Sequence, residues 1–252
     1  MMMISVLMLS SASYAWFSIS VAPDVKNIKT TVTANENFEI ALGNNKPANE
    51  PALDDSGKNE TWGGLVTFGD ADLAGTGLGP ATILESDTKT LVSATYGSDG
   101  RPNGTEAISF SDIDSVNKPG ISVGKDKAGN IVATRISLWL RSNKDGKVTT
   151  KLGDVTGTAA AKAKVGVQLG TDGIIKDLKS SEVVEVGSLE ANKEKQVFVY
   201  VYLDGPNVTA ADVAAASDVT IASISFTSDG VTGGNSYDGS YGKPASSGGG
   251  TN

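Results

Sequence analysis

The chain has 252 residues, no cysteine and no histidine, and 29 acidic against 21 basic residues for a net charge of −8. These counts exclude disulfides, thiol nucleophiles, imidazole metal ligation and any Ser-His-Asp or Cys-His catalytic arrangement. The acidic balance repels phosphate backbones, so no nucleic-acid partner is expected.

The chain opens on an uncharged apolar run, residues 1–22. A bilayer core takes about 20 helical residues, and Pro23 ends the run at that length. A secretory leader carries a basic stretch ahead of its apolar part, and none is present here. One reading is that a leader is cut upstream and the run is retained, sheltered in a neighbouring subunit. The other is a signal remnant cut before Trp16, because Ser13-Tyr14-Ala15 has the small-x-Ala form. Both imply export. Within the run, Phe17, Ile19 and Val21 alternate with Trp16, Ser18 and Ser20, the period of a strand.

Short strands are predicted at 28–33 and 37–42, then a polar, turn-rich loop over 43–61. Trp62, Leu65, Val66 and Phe68 form an apolar cluster. Strands near 81–85, 90–96 and 107–110 follow a Gly-rich loop, and 43–130 is expected to be a loop-rich insertion. The clearest periodicity lies beyond it. Ile136, Leu138 and Leu140 alternate with Ser137 and Trp139, and Val197, Val199, Val201 and Leu203 with Phe198, Tyr200 and Tyr202. Apolar residues on both faces indicate a central strand, or an outer face covered by a partner. Further strands are expected at 163–169, 173–178, 182–189 and 219–228, the last with a register change near Ala222. Thr209 is the expected N-cap of one short helix, and 230–252 is a Gly/Ser-rich tail. Many short strands without strand–helix–strand alternation predict an all-β antiparallel sandwich or jelly roll over 23–229.

Three blocks, SASYAWFSISVAPDVKNIKTTVTANENFEIAL, RISLWLRSN and VFVYVYLDGPNVTAADV, resemble the TasA/camelysin-like exported surface proteins. The resemblance covers about a third of the chain. It implies a jelly-roll subunit that polymerises into extracellular fibres, the N-terminal strand of one subunit completing the sheet of the next. The apolar residues ahead of Trp16 depart from that pattern and are similar to the retained N-terminus of type IV pilins, although Ser5 stands where a pilin carries Glu.

The expected function is thus a head-to-tail homopolymer at the cell surface, in contact with membrane only before assembly. The assembly residues are Met1, Met2, Met3, Ile4, Val6, Leu7, Met8 and Leu9 as a dry packing core, and Trp16, Phe17, Ile19 and Val21 as the inserted strand. The alternative is a monomeric membrane-anchored surface adhesin or carbohydrate-binding protein, with surface glycans as partners. Camelysin-like proteins carry a metalloprotease label, but this chain lacks HExxH, and neither an enzymatic role nor a cofactor is expected. Sequons at Asn59, Asn103 and Asn207, each in a predicted loop, are candidate glycosylation sites. The acidic pairs Asp54/Asp55, Asp70/Asp72 and Asp112/Asp114 are taken as solvated loop acids rather than Ca²⁺ ligands.

Overall fold

A computed structural model describes residues 24–32, 38–45, 62–96, 102–113 and 120–229. These residues form two β-sheets and one short helix, so the fold is all-β. With strands numbered in chain order, the smaller sheet runs β14 (Val183–Leu189), β10 (Gly146–Leu152), β16 (Asp218–Ser228), β1 (Asp24–Val32), β3 (Leu65–Phe68), with β11 (Val155–Thr156) also on β16. The larger runs β6 (Pro102–Ala107), β5 (Leu91–Tyr96), β4 (Pro80–Ile83), β15 (Lys193–Asp204), β9 (Ile131–Ser142), β8 (Ile121–Lys125), β7 (Ser109–Asp112). Beside it lie β12 (Ala163–Leu169) on β15, β13 (Lys176–Leu178) on β12, and β2 (Phe38–Leu42) on β9. Most pairings are antiparallel, as expected, but β1 with β16 and β4 with β15 are parallel.

One apolar cluster joins the two sheets. Ile136, Leu138, Leu140, Val197, Val199 and Val201 from the larger sheet meet Val148, Val219, Ile221, Ile224 and Phe226 from the smaller. Alternation then sends Phe198, Tyr200 and Tyr202 to the opposite face of β15. There they pack with Ala81, Leu91, Ala133 and Ile175, and with half-buried Ile83, Ile108 and Phe110, in a second cluster. β15 is therefore both central and covered on its outer face, and the cover is supplied by this chain.

Two junctions shape the sheets. β2 and β8 lie end to end along one side of β9, both antiparallel to it, and meet opposite Ser137. The Ser137 carbonyl accepts from Gly43 N–H at 3.1 Å, and the Ser137 N–H donates to the Gly120 carbonyl at 2.8 Å. Gly120 has a φ of +99°, and a Cβ there would come within 3.0 Å of Gly43 Cα, so only glycine suits the junction. At the second, Gly63 bridges Ile40 through backbone bonds of 2.8 and 2.9 Å. Two residues later the chain is β3 in the smaller sheet, which ties the sheets together along that side.

Several expectations are corrected. The first strand begins at Asp24, directly after Pro23, not at 28. Trp62, Leu65, Val66 and Phe68 do not form one cluster: Trp62 and Phe68 are buried, whereas Leu65 is 52% exposed, because alternation along β3 sends it outward. The predicted strand at 107–110 is two strands, β6 and β7, that break at Ile108, and 173–178 contributes only β13. β8 and β10 were not anticipated. The register change near Ala222 is present: Ala222 is exposed, its N–H donates to the Asp154 carbonyl at 2.8 Å, and β16 passes from β11 to β10 around it. The helix α1 (Ala210–Ala215) starts as expected. Thr209 Oγ1 accepts from the Asp212 N–H at 3.3 Å, and the Asp212 carboxylate accepts from the Thr209 N–H at 2.7 Å, a capping box. Among the described residues no helix is long and apolar enough to cross a membrane.

Candidate functional site

The assembly residues Met1, Met2, Met3, Ile4, Val6, Leu7, Met8, Leu9, Trp16, Phe17, Ile19 and Val21 all lie outside the described residues. What the structure describes is where that segment leads. β1 follows it directly and takes an interior place in the smaller sheet, between β16 and β3. Its pairing with β16 starts at Asp24↔Asp218 and ends at Val32↔Phe226, with register shifts on either side of Ile28. β3 covers its other edge from Ile28↔Phe68 to Thr31↔Leu65. Val25 of β1 is 1% exposed and belongs to the core that joins the two sheets. The first described strand and the last thus lie side by side and point the same way.

Of the sequons, Asn59 lies outside the described residues. Asn103 is in β6 rather than in the predicted loop. Asn207 is exposed on a 3-10 turn, Gly205–Asn207, with its side-chain amide donating to Asp204 Oδ2 at 3.0 Å and its carbonyl accepting from Lys162 Nζ at 2.9 Å. Of the acidic pairs, Asp54, Asp55 and Asp114 lie outside the described residues, and Asp70 and Asp72 occupy a turn in which Asp72 accepts from the Gly69 N–H. Asp112 is not a loop acid: it ends β7 and accepts from Ser122 Oγ at 2.7 Å.

Sequence reasoning missed the outer face of the larger sheet. Register aligns Asp112, Ser122, Arg135 and Tyr200 in one rung across β7, β8, β9 and β15. Asp112 accepts from Ser122, and Arg135 donates to Ser122 Oγ at 3.4 Å. The Arg135 guanidinium lies 4.5 Å from the Phe110 ring centre and 5.3 Å from that of Phe198. Gly124 makes room for this, since a Cβ there would strike the Phe110 ring at 2.8 Å. The Arg135 Nε is buried and donates no hydrogen bond among the described residues. Tyr200 donates to Gln168 Oε1 at 2.8 Å, and burial pushes its phenol up to about 12, against an opposing pull from Arg135.

Further along β9 a second arginine leaves the same face. Arg141 is 1% exposed and Glu39 0%, and the Arg141 Nε donates to Glu39 Oε2. The Trp62 ring covers the guanidinium at 4.1 Å. Glu39 Oε1 is buried and accepts no hydrogen bond among the described residues. No protein-family model matches this chain, and no curated protein is similar to it.

Proposed function

We propose that this chain is the structural, non-enzymatic subunit of an extracellular filament, joined head to tail by its N-terminal segment. The observation that carries the reading is the place of β1. The uncharged run 1–22 leads straight into a strand whose slot is formed by β16 on one side and β3 on the other. A slot bounded by two strands of one subunit accepts the same strand from another copy with the same hydrogen bonds. The apolar run ahead of it then lies against the neighbour. Each large apolar side chain buried there stabilises the contact by about 1.5–3 kcal/mol. A contact of this kind uses different surfaces on its two partners, so it does not close, and a fibre results. The two register shifts within β1 leave it less regularly paired than β15 with β9, which favours β1 as the exchanging strand.

The cysteine-free sequence provides a direct test. Val25 and Val219 are register partners in the slot. In the double variant Val25→Cys, Val219→Cys, filaments oxidised after assembly are expected to give a ladder of disulfide-linked multimers under denaturation. Filaments in which every link stays within one chain would rule out exchange of β1. Deleting residues 1–22 is expected to leave a folded protein that cannot elongate. Identical fibres from the truncated chain, seen by negative-stain microscopy, would rule out a part for residues 1–22 in the linkage and leave it to β1 alone.

A further inference from the structure

We propose that Asp112 and Arg135, the two members of the rung Asp112–Ser122–Arg135–Tyr200 that reach the surface of the larger sheet, bind an acidic saccharide whose carboxylate is held by Arg135, while buried Ser122 and Tyr200 position the arginine. The proposal does not rest on filament assembly.

Arg135 is a half-buried cation in an acidic chain, yet the groups it meets are the hydroxyls of Ser122 and Tyr200 and two aromatic rings. Among the described residues no carboxylate forms an ion pair with it. A guanidinium drawn out of water gains most from a planar, bidentate acceptor, and a carboxylate is one. The rings fix the guanidinium plane, and the residue remains half-exposed. Phe110 is itself half-buried, so part of its ring also reaches the surface, where the C–H face of a sugar can pack.

Asp112 narrows the class of ligand. It is exposed, it sits two strands from Arg135 on the same rung, and its one described hydrogen bond is from Ser122. An exposed carboxylate opposes phosphate and sulfate polyanions, as does the net charge of −8. It is, however, a strong acceptor for hydroxyl groups. A ligand that presents one carboxylate to Arg135 and neutral hydroxyls to Asp112 satisfies both ends of the rung. A sugar chain with isolated uronic acid units has that pattern.

The test uses the full-length chain and two probes: a xylo-tetrasaccharide carrying one glucuronic acid branch, and the same, neutral tetrasaccharide without it. Binding followed by calorimetry is expected for the branched probe and to be at least about tenfold weaker for the unbranched one. Arg135→Gln is expected to remove that difference, and Arg135→Lys, which keeps the charge but not the fork, to restore only part of it. Thermal unfolding of each variant separates loss of the site from loss of the fold. Asp112→Asn is expected to weaken the branched probe without abolishing its advantage over the neutral one. Equal binding of the two probes, binding of acetate as tight as that of the branched probe, or no binding at all would each overturn the proposal.

Discussion

Arg135 and Arg141 leave the same face of β9, and the sheet treats them oppositely. Arg141 is sealed: Glu39 faces it from β2, Trp62 lies over it, and both ionic partners are almost fully buried. Arg135 keeps access to water and is flanked by Phe110 and Phe198, with a serine hydroxyl in place of a carboxylate. The difference follows from solvation. A guanidinium removed from water needs an opposite charge at hydrogen-bond distance, or the fold bears a large desolvation cost. One that stays partly wet can be held by rings alone, and its donors remain available. Arg141 is therefore part of the frame, and Arg135 is a group that the frame presents.

The sharpest way to break this contrast is Arg141→Leu. It strands the buried Glu39 carboxylate, and urea unfolding is expected to show a loss of about 3–5 kcal/mol. The double variant Glu39→Leu, Arg141→Leu removes both charges and is expected to recover most of that loss. A single variant that costs under about 1 kcal/mol would mean that Glu39 does not depend on Arg141 to be buried.

High pH gives the next largest effect. Tyr200 titrates at about 12 in the fold against 10 for a free tyrosine, chiefly because burial disfavours its anion. Tyr202 is raised in the same direction, first by burial and then by Asp177. The protonated phenols therefore favour the folded state. Their contribution is complete below pH 10 and is lost as pH rises toward the folded value, about 2–3 kcal/mol from Tyr200 alone. Equilibrium unfolding between pH 9 and 12 is expected to show that decline. Arg135→Leu removes the one pull that lowers Tyr200, so the decline should extend to higher pH in the variant. An unchanged profile would mean that Arg135 and Tyr200 are not electrostatically in touch. The smallest effect is that of Arg135→Leu on stability at neutral pH. It loses ring contacts but strands no buried acid, so about 1 kcal/mol is expected. A loss as large as that of Arg141→Leu would abolish the distinction between the two arginines.

What the sequence disclosed follows the same physics. β9 was legible because Ile136, Leu138 and Leu140 alternate along it, and β15 because both its faces are apolar, which leaves a strand in the middle of a sheet as the natural reading. α1 was legible because Thr209 and Asp212 carry their cap locally. β10 was hidden because its outward Lys and Thr residues mask an inward row of Val148, Thr150 and Leu152, one member of which is polar. β6 was hidden more deeply: Pro-Asn-Gly is turn chemistry, and only pairing with β5 makes it a strand. The outer rung could not be read at all. Asp112, Ser122, Arg135 and Tyr200 come from four separate strands, and only register places them in one line.

The end-to-end meeting of β2 and β8 has one more consequence. Along β9 they act as a single strand, opened at one point between Gly43 and Gly120, and everything from 44 to 119 departs and returns through that opening. Because the two glycines touch, the excursion begins and ends at the same place, and its length scarcely alters the entropy of closing it. The segments that join the strands within that excursion can therefore change length while β9 keeps its neighbour. The opening thus isolates changes in those joining segments from the pairing of β9.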